Sequence, residues 1–274
     1  MVTFPNAKIN IGLDILRRRT DGFHDISTLM VPVGWTDILE IVPGGSSRDT
    51  LTVTGRPVGC PPEKNLVMKA VAALRRRHQF PAVDISLRKI IPDGAGLGGG
   101  SADASFTITT VNRLFDLAMS DEEMADIASE IGSDCPFFIY NVPMLCEGTG
   151  TTLLPSPFRM PSDVALVIVK PHVSVPTKEA YAGVTPSIPS IPLPELISTL
   201  PPDKWMWHIK NDFEKSVFKA YPAIADVKKK LLEEGAFYAS MSGSGSAVYG
   251  LFRKGDILAD AFWYAFPGCD IFVN

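Results

Sequence analysis

The first stretch of the chain alternates strictly, with Ala7, Ile9, Ile11, Leu13 and Ile15 on one side and Asn6, Lys8, Asn10, Gly12 and Asp14 on the other. Successive strand residues point to opposite faces, so this spacing predicts a β-strand with one face on the core and a polar face free for another use. A turn through Thr20-Asp21-Gly22 leads into a second strand over 24–33, and 37–43 and 50–54 read as further strands parted by Gly44-Gly45-Ser46-Ser47. The period then changes: over 66–77, Val67, Ala70, Val71 and Leu74 make a helical stripe. A strand over 83–91 runs into a glycine-rich segment. The helix after it carries Ala104, Ile108, Val111, Phe115 and Ala118 at spacings of four, three, four and three. Ser120 and Glu123 form a capping box ahead of Met124, Ile127 and Ile131, and Gly132 ends that helix. The apolar run 136–140 reads as a strand or extended segment.

Beyond it, Pro155, Pro157 and Pro161 surround residues without periodicity, where a boundary is expected between domains 1–155 and 160–274. A buried strand follows over 164–169. Seven prolines in 176–202 predict a long loop with short helical pieces. A helix over 223–234 ends at Gly235, and two strand-like runs, 236–241 and 247–252, flank Ser242-Gly243-Ser244-Gly245-Ser246. The C-terminus repeats helix then strand. Strands and helices mix without regular βαβ alternation, which defines an α+β chain in two domains.

Composition narrows the function. The chain has 274 residues, 46% of them hydrophobic and 20% charged, enough for proper cores in two domains. A formal charge of −4 gives no general attraction to nucleic acid or anionic membrane. Of three basic runs, Arg75-Arg76-Arg77 and Lys228-Lys229-Lys230 lie on helices as solvated faces; Arg17-Arg18-Arg19 sits in a turn beside candidate site residues and stays open. Cys60, Cys135, Cys146 and Cys269 form no CxxC pair, which excludes a disulfide framework or a structural zinc site and leaves Cys135 a small buried residue. With no signal peptide and no membrane-length apolar run, a cytoplasmic protein is expected.

The strongest chemical signal is Pro92 to Ala104, PDGAGLGGGSADA, with five glycines in seven residues opening into a helix. Backbone freed of side chains can wrap a ligand, and unpaired N–H groups at a helix start favour an anion such as phosphate. Gly94, Gly96 and Gly99 also satisfy G-x-G-x-x-G, which raises a nicotinamide-dependent oxidoreductase as an alternative. The run lies in mid-chain outside a βαβ unit, however, and Asp121 begins a helix where a ribose-binding carboxylate would end a strand. No Gly-Lys-Ser/Thr follows, so this is not a P-loop.

The P-x-x-x-G-L-G-x-x-S form of this loop resembles the ATP-phosphate loop of the GHMP superfamily of small-molecule kinases. Two further motifs follow the superfamily order: Pro5-Asn6-Ala7-Lys8-Ile9-Asn10 at the N-terminus and Met241-Ser242-Gly243-Ser244-Gly245-Ser246-Ala247 near the C-terminus. Asp21-Gly22-Phe23-His24, Gly132-Ser133-Asp134-Cys135-Pro136-Phe137-Phe138, Val173-Ser174-Val175-Pro176-Thr177 and Asn211-Asp212-Phe213-Glu214 resemble a subgroup acting on cytidine-diphosphate-linked methylerythritol.

The resemblance implies a two-domain GHMP kinase fold, an N-terminal domain like the second domain of ribosomal protein S5 and a ferredoxin-like C-terminal one. It also implies ATP and Mg²⁺ as cofactors, a small-molecule acceptor, no nucleic-acid or membrane partner, and a monomer or weak homodimer. Pro92, Asp93, Gly94, Ala95, Gly96, Leu97, Gly98, Gly99, Gly100, Ser101 and Ala102 become the ATP loop, with Asn65 and Leu66 at adenine. Asn65 equally suits an ordinary helix start, and Ser101 is either a hydroxyl near Mg²⁺ or phosphate or a helix N-cap. Lys8 and Asp134 become the catalytic pair, Asp134 orienting or deprotonating the attacking hydroxyl; alternatively Asp134 bonds its own turn and Lys8 lies on a solvated face. Asn10, Phe23, His24, Thr177, Tyr181, Gly243, Ser244 and Gly245 become acceptor-binding residues, Phe23 and Tyr181 stacking on a pyrimidine and His24 bonding its edge. A sister kinase of homoserine or a mevalonate derivative is the nearest alternative, and its acceptor has no base to stack. A non-enzymatic sugar- or nucleotide-binding relative is a further one, against which the retained Lys8, Asp134 and glycine loops speak.

Overall fold

The computed structural model describes residues 1–274. In chain order its first half runs β1 (Val2–Thr3), β2 (Asn6–Arg18), β3 (His24–Thr36), β4 (Ile38–Pro43), β5 (Thr50–Gly55), α1 (Leu66–Arg75), β6 (Val83–Lys89), α2 (Gly99–Leu114), α3 (Asp121–Ser129) and α4 (Cys135–Tyr140). The second half runs β7 (Met144–Gly148), β8 (Thr152–Pro155), β9 (Val164–Lys170), α5 (Thr177–Ala182), α6 (Leu193–Thr199), α7 (Glu214–Ala220), α8 (Pro222–Glu233), β10 (Tyr238–Met241), β11 (Val248–Arg253), α9 (Ala259–Ala265) and β12 (Asp270–Val273). No helix is long and apolar enough to cross a membrane.

The chain forms two compact units that interleave in sequence. One contains Met1–Lys8, Pro32–Asp93 and Gly98–Val142; the other contains Ile9–Val31, Gly94–Leu97 and Pro143–Asn274. In the first unit the sheet order is β1-β4-β6-β5, with β5 and β6 parallel and α1 as their crossover. The strand stripe of Leu39, Ile41, Ile85 and Leu87 packs with Val67, Val71 and Leu74 of α1 and Ala104, Ile108 and Val111 of α2 in one apolar cluster. In the second unit β9, α8, β10, β11, α9 and β12 make an antiparallel sheet of order β10-β11-β9-β12, the split βαβ arrangement of ferredoxin-like domains. All seven residues of β9 are buried, which explains its unbroken apolar run. A further sheet has the order β2-β3-β7-β8.

Four sequence expectations need correction. The polar side of β2 is not open: Lys8 is 3% exposed, Asn10 2% and Asp14 7%, so these groups are enclosed beside the glycine segments and the 210–212 stretch. Residues 135–140 are helical rather than extended; a short run with Phe137, Phe138 and Ile139 all buried has no periodicity to read, and Pro136 fits a first turn where its missing N–H costs nothing. The helix after the glycine loop stops at Leu114, because Asn112 exchanges side-chain bonds with both backbone groups of Met119 and turns the chain back, leaving Asp116 and Ala118 with positive φ. The hairpin β7–β8 around Gly148 and Gly150 has no counterpart among the predicted elements.

Candidate functional site

In the first unit, the helix start after the glycine loop is built for an anion. Gly98 is the N-cap of α2 with φ 72, and a side chain there would meet Phe138 Cζ at 2.8 Å and Lys8 Cγ at 3.2 Å. No side chain caps the helix and no acidic residue occupies its first turn, so the N–H groups of Gly99, Gly100 and Ser101 face outward along the helix dipole. The Ala102 N–H is already committed to the Gly98 carbonyl at 2.9 Å, so Ala102 contributes packing rather than a donor. Ser101 lies inside the helix, not at its cap, and its hydroxyl bonds with Cys135. Burial pushes the Cys135 thiol up to about 11, so it is an inert packing residue.

A cavity of about 250 Å³ adjoins this helix start. Pro57, Val58, Leu66, Ile91 and Pro92 give it apolar walls, Arg56 and Lys64 supply cations, and Asp93, Gly99 and Gly100 complete its rim. Asn65 caps α1, its side chain accepting from the Val67 N–H at 2.9 Å, and it also lines the cavity. A larger cavity of about 380 Å³ on the second unit, between α8 and the α9–β12 segment, is lined by none of the motif residues.

Lys8 and Asp134, 126 positions apart in sequence, meet in the first unit with Nζ 3.6 Å from Oδ2. Asp134 is the N-cap of α4, yet its side chain makes no capping bond, so the carboxylate is not used by its own turn. Lys8 is enclosed while the Asp134 side chain keeps 33% of its exposure, leaving the carboxylate reachable by a substrate.

In the second unit the two glycine loops are clamped together. Ser242 Oγ donates to the Gly96 carbonyl at 2.9 Å, the Ala247 N–H donates to the Ala95 carbonyl at 3.0 Å, and any side chain on Gly96 would collide with the Ser242 carbonyl. Ala95 and Leu97 turn buried side chains inward, while Gly94 faces Ser174. Asn10 is held through Nδ2 to Thr28 Oγ1 at 3.1 Å, with its backbone N–H on Ser242 Oγ at 3.3 Å and its carbonyl accepting from Tyr249. A side chain on Gly243 would touch Asn10 Oδ1 at 3.3 Å. Asn211 Nδ2 donates to both the Met241 and Gly243 carbonyls at 2.8 Å, and Glu214 accepts from the Met241 N–H, fixing the loop that presents Ser244 and Gly245. Thr177 and Ser244 hydroxyls lie 3.3 Å apart.

The His24 ring stacks on Tyr181 with centroids 5.0 Å apart, and Tyr181 packs edge-on to Phe213. Phe23 is 65% exposed at the hairpin tip. Arg17 and Arg19 of the basic run both bind Asp25, so these two cations brace the hairpin, and bonds from Arg17 and Arg19 hold the Asp25 carboxyl below the usual range.

Sequence reading missed Thr28, Ser242 and Asn211 as organisers and a buried cluster of Asp37, Lys89 and Asp103. Lys89 carried a usable signal, since a cation in the register of Val83, Ile85 and Leu87 on β6 demands buried partners.

Residues 65–141 match the GHMP kinases N terminal domain and 202–263 the GHMP kinases C terminal model. A 4-diphosphocytidyl-2-C-methyl-D-erythritol kinase of Parabacteroides distasonis is 50% identical over 93% of this chain and 92% of its own length. One of Porphyromonas gingivalis is 46% identical over 93% of each. A crystal structure of 4-(cytidine 5'-diphospho)-2C-methyl-D-erythritol kinase superposes with a TM-score of 0.83 at 30% identity, covering 100% of this chain and 98% of that one. A homoserine kinase from Cytophaga hutchinsonii shares the fold at a TM-score of 0.67 and 21% identity, over 98% of this chain and 94% of its own. Fold and site thus define a small-molecule kinase of the GHMP class. Within that class, the chain belongs to the 4-diphosphocytidyl-2-C-methyl-D-erythritol kinase family.

Proposed function

We propose that the chain transfers the γ-phosphoryl group of ATP to the tertiary 2-hydroxyl of 4-diphosphocytidyl-2-C-methyl-D-erythritol, releasing ADP and the 2-phosphate for isoprenoid precursor synthesis. The observation that carries the chemistry is the Lys8–Asp134 pair, whose carboxylate is left free of its own helix cap. In this reading Asp134 orients the hydroxyl and takes its proton as the new P–O bond forms and the bond from Pγ to the ADP oxygen breaks. Lys8 holds the Asp134 carboxylate in place and, with the N–H groups at the head of α2, offsets charge on the transferred group. No cluster of three or more His, Cys, Asp or Glu is arranged as a metal cage, which suits Mg²⁺ carried mainly by phosphates, with Ser101 as the nearby protein oxygen. When bound, Mg²⁺ would neutralise part of the triphosphate charge.

The cytidine end is assigned to Phe23, His24 and Tyr181, with Asn10, Thr177, Ser244 and the glycines at 243 and 245 toward the rest of the acceptor. The proposal includes a cytoplasmic location, a monomer or weak homodimer, and family domains dividing at 155–160. The decisive experiment is ADP release from ATP and Mg²⁺ with diphosphocytidyl-methylerythritol, homoserine, mevalonate and galactose as acceptors. Turnover with the first alone is expected. Comparable turnover with homoserine or mevalonate, or none with the first, refutes the assignment.

A further inference from the structure

Lys8 and Asp134 stand on different elements, β2 and the head of α4, and these two elements meet again further along. There Asn6 Nδ2 donates to Asn141 Oδ1 at 3.1 Å, and Asn141 Nδ2 donates to Asn6 Oδ1 at 2.8 Å. Asn6 Nδ2 also donates to the Ala7 carbonyl at 2.9 Å, which holds that amide to its own strand. Asn141 is equally committed. It ends α4 with φ 51, and its backbone N–H donates to the Phe137 carbonyl at 2.8 Å. Glycine is the usual residue in that left-handed conformation, and it would bring no amide. Both side chains are half-buried, and they join positions 135 apart in sequence. Two parallel bonds fix relative rotation as well as separation, which a single bond does not.

The spans are compatible. Asn6 and Lys8 share one face of β2, about 7 Å apart, while Asp134 and Asn141 mark the two ends of α4, about 10 Å apart. The amide pair therefore ties β2 to one end of α4 and the ion pair ties it to the other. Between them, the Lys8 stem and the Phe138 ring of α4 close on Gly98, whose Cβ would lie 3.2 Å from Lys8 Cγ and 2.8 Å from Phe138 Cζ. A separate bond fixes α4 to α2, since Ser105 Oγ donates to the Cys135 carbonyl at 2.7 Å. Lys8 and Asp134 themselves are 3.6 Å apart, beyond hydrogen-bond reach. Their attraction holds a distance and leaves direction to the seating of β2 on α4.

We propose that Asn6 and Asn141 are positioning residues for the phosphoryl transfer. Their amide pair sets the register of β2 against α4, and so holds the Lys8 ammonium beside both the Asp134 carboxylate and the head of α2. This rests on reading Lys8 and Asp134 as the catalytic pair. Neither asparagine lines the cavity at the head of α2, so nucleotide binding does not depend on them directly. Loss of the pair lets β2 shift against α4, and a displacement of about 1 Å at Lys8 is enough to cost up to about 10²-fold in rate.

The test is steady-state kinetics on the diphosphocytidyl acceptor for Asn6→Ala and for Asn141→Gly, which keeps the left-handed backbone and deletes the amide. Each should lower kcat about 10-fold or more, with the KM for ATP within about 2-fold of wild type. The double variant should be no slower than the slower single one, because both substitutions break the same pair. Repeating Asn141→Gly in the Lys8→Met background separates positioning from general damage. There kcat should change less than about 2-fold, since no ammonium remains to be misplaced. Should Asn141→Gly fold poorly, Asn6→Ala in the same two backgrounds gives the same comparison. A similar fall in both backgrounds, or wild-type kcat in the folded single variants, overturns this inference alone. Near-normal kcat in Lys8→Met itself overturns the reading of the catalytic pair and this inference with it.

Discussion

Asp134 holds the N-cap of α4 without capping it, and that unused carboxylate beside Lys8 is where the chemistry can be tested most directly. Asp134→Asn keeps the size and remains a good N-cap residue, so the helix should survive while charge and basicity are lost. We expect kcat to fall about 10²- to 10⁴-fold with modest changes in both KM values, read from steady-state kinetics on the diphosphocytidyl acceptor. Lys8→Met should also be severe, because it removes a cation from the transferred phosphoryl and leaves Asp134 less well held. Near-normal kcat in a folded Asp134→Asn variant would reduce Asp134 to a helix-start residue. Legibility at this scale depended on motif. Lys8, Asn10 and Asp134 sit in recognisable strings, and so does Asp103, but Asp37 does not, and only folding reveals that Asp37 and Asp103 share one lysine.

Among the elements, the loops and helix starts divide glycines by job. Gly96, with φ 74, faces the Ser242 carbonyl so closely that no side chain fits, whereas a Cβ on Gly100 meets only Leu66 Cδ1 at 3.6 Å. Gly96→Ala should destabilise by about 1–3 kcal/mol through backbone strain and displacement of the second glycine loop. Gly100→Ala should leave stability unchanged or raise it by up to about 1 kcal/mol, since it lies within a helix, yet raise the KM for ATP because it narrows the cavity. Urea denaturation and ATP kinetics on both variants separate the two effects; equal stability losses would show that the glycines are interchangeable. Elements with a long amphipathic period, such as α1, α3 and α8, could be read from sequence. The misread ones were too short to show a period, as with α4, or were ended by a side chain that bonds the backbone seven residues further on, as Asn112 of α2 does with Met119.

At the scale of the whole molecule, the second unit is assembled from both ends of the chain. The Leu13 N–H donates to the Lys210 carbonyl, the Asp212 N–H donates to the Leu13 carbonyl, and the Ile15 N–H donates to Asp212 Oδ2 at 2.9 Å. This closure places Asp14 beside Asp212 and Lys210. Burial raises the Asp14 carboxyl from 3.8 to about 6, the Asp212 charge adds to the rise, and Lys210 partly offsets it. No pattern in the sequence announces it, because Asp14 reads there as one more member of the polar face of β2. The sign follows from linkage: a carboxyl with a raised folded pKa leaves stability intact below about pH 4, and the cost of ionising it accumulates as pH rises through about 6. Discounted for the water that still reaches the group, that cost is about 1–2 kcal/mol. Asp49, held below the usual range by Arg75 although burial opposes this, works the other way and weakens the fold only in acid. Asp14→Asn removes the first effect and leaves the second. The stability difference between variant and wild type should therefore grow by about 1–2 kcal/mol in favour of Asn between pH 4.5 and 7.5, measured by urea denaturation across that range. A difference that stays constant with pH would mean that Asp14 ionises in the folded protein as freely as in the unfolded chain, and that the closure of the two chain ends carries no buried charge.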